Sequence, residues 1–172
     1  ESEKFYVGKI NILGNNITQE EVIRNNLLVD EGDAFNELLQ TRTINNLKSL
    51  NFFSKVETEI LDIENENKKI INITVEEKPT GEIMAGAGIG TGGGTFVFGV
   101  TENNFLGRGI EFSTDINVSE ESIKGLISLN NPNYKGSNRS LNASLESTIT
   151  DRLTNFGYKS NKTGFAVGSG FE

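Results

Sequence analysis

The run Ile110-Glu111-Phe112-Ser113-Thr114-Asp115-Ile116-Asn117-Val118 alternates without a break. Successive side chains of a strand point to opposite faces, so Ile110, Phe112, Thr114, Ile116 and Val118 share one face. Glu111, Ser113, Asp115 and Asn117 share the other. One face is apolar and the other plainly polar, as in a strand that divides two solvents.

The same period extends in both directions. Ile83, Ala85, Ala87 and Ile89 alternate with Glu82, Met84, Gly86 and Gly88, and Phe96, Phe98 and Val100 form the next set. Downstream, Ile123 to Leu129 repeats it. Leu141, Ala143, Leu145 and Ile149 then stand against Ser140, Asn142, Ser144 and Glu146, before a last set of Phe165, Val167 and Phe171. Six strands are predicted, none buried on both faces. A soluble sandwich also alternates, but a polar face holding Glu111, Asp115 and Glu146 beside an apolar face almost without charge favours a transmembrane barrel. Bacterial barrels begin at about eight strands, so residues 80–172 read as an incomplete one whose remaining strands lie beyond residue 172.

Composition supports two regions. Of 19 glycines, 3 precede Pro79 and 16 follow it, which places a border at Glu77 to Thr80. Residues 1–79 carry 15 acidic and 9 basic side chains and residues 80–172 carry 9 and 7, net charges of -6 and -2. An acidic chain without a Lys/Arg stripe has no nucleic-acid footprint. With no cysteine and no histidine, disulfides, thiolates and the commonest metal ligand are excluded. No apolar run approaches the roughly 18 residues of a helical span, a criterion blind to barrels. Neither end resembles a natural terminus: no basic-then-apolar leader opens the chain, and it stops inside the strand-like run Gly164 to Phe171.

Residues 1–79 change period. Phe5 to Leu13 reads as a strand closed by Gly14-Asn15. Thr18 and Glu21 stand in capping-box spacing, with Ile17 and Val22 as a hydrophobic staple, so a helix is predicted to run to about Leu28. After the turn Glu31-Gly32-Asp33, a second helix capped at Asn36 carries Leu39, Thr43, Leu47 and Leu50 as one stripe and stops at Asn51. Val56, Thr58 and Ile60 form one further strand and Ile71, Ile73 and Val75 another, joined by Glu64-Asn65-Glu66-Asn67-Lys68. The order β-α-α-β-β predicts two helices on one face of a three-stranded mixed sheet. Such a sheet has a free edge, and Val56, Glu57, Thr58, Glu59 and Ile60 read either as a peptide-docking edge or as an ordinary charged one.

Several residues together now resemble a known family. Gly14-Asn15, Thr18, Val22-Ile23-Arg24, Glu31-Gly32, Leu47, Leu50, Phe52-Phe53, Val56 and Val75 to Gly81 resemble the last POTRA (polypeptide-transport-associated) domain of BamA-like outer-membrane assembly factors. Asn103 to Gly109 resembles that family's turn after its second barrel strand, and Asn131-Pro132 with Tyr134 its Pro-aromatic motif after the fourth. Asn51 stands where glycine is frequent, a swap that a helix C-terminus tolerates. The resemblance implies a surface-antigen-type barrel of the bacterial outer membrane with residues 1–79 in the periplasm. It also implies unfolded outer-membrane protein clients, assembly-machinery lipoproteins and outer-membrane lipid as partners. Within it Glu31 is an exposed loop residue, read either as a lipoprotein contact or as a solvated turn, with Arg24 as its local ion-pair partner.

Other motifs carry less. Gly88, Gly90 and Gly93 satisfy G-x-G-x-x-G, but a dinucleotide fingerprint needs a helix after it and Thr95 to Val100 reads as a strand. Gly92-Gly93-Gly94 is read as a hairpin turn. Glu111 and Asp115 line one strand face and need no acid/base role, so no enzyme, cofactor or metal is expected. The expected mechanism is templated strand addition on Gly81, Glu82, Ile83, Met84, Ala85, Gly86, Ala87 and Gly88, whose glycines leave a weakly packed strand. A polypeptide-secreting transporter of the same architecture is the alternative, and a passive porin-like barrel a weaker one.

Overall fold

The computed structural model describes residues 4–63, 66–90, 93–137 and 139–171. They form two compact units: Glu1–Thr80 with Leu106–Arg108, and Gly81–Phe105 with Gly109–Glu172. Glu64 and Asn65 of the expected turn, and Gly92 of the expected hairpin, lie outside the described residues.

The first unit runs β1 (Tyr6–Leu13), α1 (Glu20–Arg24), α2 (Glu37–Ser49), β2 (Phe53–Asp62) and β3 (Lys68–Glu77). Its sheet has the order β1-β3-β2, parallel between β1 and β3 and antiparallel between β3 and β2. Val7 and Ile10 of β1, Ile23 of α1, Leu47 of α2 and Ile71, Ile73 and Val75 of β3 make a buried apolar core. Its helices therefore cover a single face. Gly14 turns the chain out of β1 at a φ of 90°, and a Cβ there would stand 2.0 Å from the Val75 carbonyl oxygen.

Asn36 caps α2 as its position predicts, accepting from the amides of Leu38 and Leu39. Thr43 and Leu47 of the stripe are buried, Leu39 and Leu50 pack against the core, and Asn51 adopts φ 61°. Gln40 departs from the pattern. It is 3% exposed, and among the described residues neither side-chain polar atom has a hydrogen-bond partner.

The helix α1 is shorter than the capping box predicts, and Thr18 does not cap it. Gln19 precedes the helix without a side-chain cap bond, and Ile17 stays 70% exposed, so no staple forms. Thr18 is instead drawn to the far end of β3. Its amide donates to Glu77 Oε1 at 2.6 Å, while the amides of Asn16 and Ile17 donate to Oε2 at 2.9 Å each. Three N–H groups converging on one carboxylate outcompete a single neutral cap bond. Burial alone would raise the Glu77 pKa, but the bonds from the Thr18 amide and hydroxyl, then from Ile17 and Asn16, hold it below 4.5.

The second unit is one antiparallel sheet in sequential order: β4 (Gly81–Gly90), β5 (Gly93–Phe105), β6 (Ile110–Ser119), β7 (Ser122–Asn131), β8 (Arg139–Arg152) and β9 (Tyr158–Phe171). A 3₁₀ turn, Tyr134–Gly136, precedes β8, and a short α3, Leu153–Phe156, precedes β9. Gly88 and Gly90 end one strand and Gly93 opens the next, so no helix follows the glycine motif. No helix crosses Lys78 to Thr80, and Lys78 N donates to the Phe52 carbonyl at 3.0 Å.

Register aligns Ile83, Val100, Thr114, Ile127, Leu145 and Phe165 across all six strands on one face. Met84, Gly99, Asp115, Leu126, Glu146 and Gly164 align on the other. On β8 the apolar face runs from Leu141 to Ile149 between Arg139 and Asp151. Those eight steps cover roughly 27 Å along the strand, the order of the ≈25 Å lipid-facing band of outer-membrane barrels. The open sheet fits the start of an incomplete barrel. The polar face also holds Lys124, 3.3 Å from Glu146, and Lys162 opposite Thr148.

Two predictions concern the first unit, each measured by urea unfolding of residues 1–80. Gln40→Met should raise stability by about 1–2 kcal/mol, because it removes an unpaired buried amide at similar volume; lower stability would mean that the amide is satisfied. Glu77→Gln should cost about 1–2 kcal/mol at neutral pH. The folded-state pKa of Glu77 is depressed, so this stabilisation is complete above pH 4.5 and is lost as pH falls through the folded-state value. A gap independent of pH would contradict the carboxylate's role.

Candidate functional site: unpaired strand edges

A strand edge is a row of N–H and C=O groups able to pair with another chain. In the first unit one of two edges is closed. Val7 N donates to the Asp33 carbonyl at 2.8 Å, Gly32 N to Val7 O at 2.7 Å and Phe35 N to Phe5 O at 2.8 Å. Further along β1, Ile10 N donates to Glu31 Oε1 at 3.0 Å and Arg24 Nη2 to the Ile10 carbonyl at 3.2 Å. The segment after α1 thus spends its own backbone on β1. Glu31 is exposed yet bound to this edge. Arg24 pairs with Glu20 at 2.7 Å rather than with Glu31, because Glu20 lies one helical turn away on the same face.

Among the described residues no strand lies beside the outer edge of β2. Of the residues expected to form a docking edge, Val56 is buried, Thr58 is half-buried, and Glu57, Glu59 and Ile60 are exposed. Lys55 lies 2.9 Å from Glu57, whose hydrogen bond and charge raise the lysine pKa. On the uncovered face Asn11 donates to Asn72 at 2.8 Å and Asn72 to Glu59 at 3.1 Å, a side-chain ladder across all three strands. That ladder ends on the edge strand.

Among the described residues of the second unit β4 pairs with β5, in unbroken register from Gly81↔Glu102 to Gly90↔Gly93. Every residue from Gly81 to Gly90, including Glu82, Ile83, Met84, Ala85, Ala87 and Gly88, is exposed. A Cβ added at Gly86, Gly88 or Gly90 would meet nothing within 4 Å, whereas one at Gly99 of β5 would lie 2.7 Å from Asp115 Oδ1. Gly99 thus makes room for a neighbour. Among the described residues no atom comes near the space beside these three β4 glycines.

Sequence reasoning missed the Glu77 clasp, which needs residues 59 to 61 positions apart. It also did not foresee that residues 31–35 close β1. Neither has a local signal.

The POTRA model, described as a surface antigen variable number repeat, matches residues 5–78. The outer membrane protein assembly factor BamA of Nitratidesulfovibrio vulgaris is 27% identical over 134 residues, covering 76% of this chain and 17% of that protein. The BamA of Buchnera aphidicola is 32% identical over 144 residues, covering 82% and 23%. The chain therefore spans less than a quarter of these relatives. Among solved structures, Haemophilus ducreyi BamA lacking POTRA domains 1-3 superposes with a TM-score of 0.85 at 24% identity, over 96% of this chain and 32% of that one. CdiB from Acinetobacter baumannii gives 0.58 at 15% identity, over 96% and 33%. Sequence matches running through residue 80 and a fold match over nearly the whole length agree: the chain is a BamA-like POTRA domain joined to the start of a β-barrel.

Proposed function

We propose that this chain is part of a bacterial outer-membrane factor that assembles and inserts β-barrel proteins by templated strand addition, with residues 1–79 in the periplasm. The observation that carries this reading is the join of a POTRA domain to the start of a barrel whose first strand, β4, holds glycine at four of its ten positions. Unsatisfied backbone groups are costly in hydrocarbon, so a client strand gains by pairing before it enters the bilayer. The β2 edge offers the same pairing in water, where Val56 to Ile60 would hold an extended client segment. No chemical step or cofactor is required.

Partner proposals follow from the same reading. Unfolded barrel proteins are the clients, and outer-membrane lipid surrounds the apolar face. An assembly lipoprotein is proposed to approach the loop containing Glu31, whose second carboxylate oxygen is not used by Ile10. A polypeptide-secreting transporter is the second reading, favoured by the CdiB fold likeness. The names of the sequence relatives and the higher BamA TM-score support assembly over it.

Proline introduced singly at Met84, Ala85, Gly86 and Ala87 of the full-length protein tests the template, because it removes one backbone donor. In an antiparallel ladder donors alternate sides, so client insertion into reconstituted membranes should fall at alternate positions, by roughly 2- to 12-fold for a bond worth about 0.5–1.5 kcal/mol. Normal insertion by all four folded variants would sink the proposal. Proline at alternate positions from Val56 to Ile60 should weaken capture of an extended client peptide by a similar factor, measured by fluorescence anisotropy; unchanged capture would return β2 to an ordinary charged edge.

A further inference from the structure

Beyond strand templating, the apolar face carries a local feature on β7 to β9. Ile127, Leu129, Ala143, Leu145, Phe165 and Val167 line a shallow trough of about 230 Å³. Register explains it. The row Leu129–Ala143–Val167 sits beside the row Ile127–Leu145–Phe165, and alanine in the middle of the first leaves a depression between bulkier neighbours.

At the end of β8 on the same face stands Arg139, two positions beyond Leu141 and opposite Phe171. Its guanidinium carbon lies 5.5 Å from the Phe171 ring centroid, and Lys135, in the turn entering β8, lies 5.4 Å from the Tyr134 ring. Among the described residues neither cation has an acidic partner within 4 Å. Lys124, Arg152 and Lys159 of the same sheet each have one. A cation beside hydrocarbon reaches for the interface or for an anion. Arg139 is four residues from Ala143, roughly 14 Å along the strand.

We propose that this surface is a glycerophospholipid site, with one acyl chain in the trough over Ala143 and the phosphate held by Arg139 and Lys135. The spacing matches a molecule whose anionic headgroup lies at the membrane boundary and whose chain runs toward the midplane. Arg139 lies at the end of the sheet where β4 begins, so the lipid would belong to the periplasmic leaflet. The proposal rests on the membrane reading of the sheet. It does not require strand templating.

The test is native mass spectrometry of the full-length protein in detergent, titrated with dioleoylphosphatidylglycerol, with dioleoylglycerol and with inorganic phosphate. Wild type should retain phosphatidylglycerol at least 10-fold more strongly than dioleoylglycerol and should not retain inorganic phosphate. Arg139→Gln and Ala143→Leu should each lower phosphatidylglycerol retention about 10-fold, the first by removing charge and the second by filling the trough, while Lys124→Gln leaves it unchanged. Heat-modifiable gel migration identifies folded variants. Client insertion by wild type reports on the assembly reading separately. Wild-type-like retention by folded Arg139→Gln and Ala143→Leu would overturn the proposal, as would equal retention of inorganic phosphate.

Discussion

Backbone hydrogen bonding that stops at a strand edge is the constraint on which the rest of this chain depends. Each unpaired N–H and C=O must find water, a loop, a side chain or another strand. The two units answer differently. In the first, Asp33, Gly32, Phe35 and Glu31 cover β1 and leave β2 open to water. In the second, β4 pairs along its whole length with β5 and carries glycine at four of ten positions. An edge in water is tolerable, but the same edge beside lipid is not. Under the proposed function, that difference would give direction to a client strand.

Side-chain chemistry shapes these edges more than it stabilises them. The exposed pair Lys55–Glu57 adds little stability, yet charge on an edge strand discourages indiscriminate pairing. The Asn11–Asn72–Glu59 ladder sets the uncovered face without adding apolar area. On β4 one face carries Glu82 and Met84 and then Gly86, Gly88 and Gly90, so the second half of that face offers little but backbone. Recognition through backbone is indifferent to partner sequence, as the proposed assembly function would require.

Much of this was legible in the sequence because period is a local property. Ile110 to Val118 declares both faces by itself, and Asn36 and Asn51 mark the ends of α2 within a few residues. What escaped was non-local. Thr18 and Glu21 have capping-box spacing, but Glu77 claims the Thr18 amide from 59 positions away. Gln40 is adjacent to Leu39 of the stripe, and only the packing of α2 shows that it is buried. Arg24 met Glu20 before it could reach Glu31. The strand order left both β1 and β2 as edges, and only the path of residues 31–35 shows that β1 is closed.

The most direct test of the account is site-specific disulfide crosslinking between β4 and a client caught during insertion, since the chain has no cysteine of its own. Single cysteines at Ile83, Met84, Ala85 and Ala87 of the full-length protein would be combined with cysteines stepped along the client's terminal strand. The account predicts a ladder, in which moving one residue along β4 shifts the favoured client position by one in the opposite sense, as antiparallel pairing demands. Crosslinks without register, or none from β4 while the client still inserts, would contradict it.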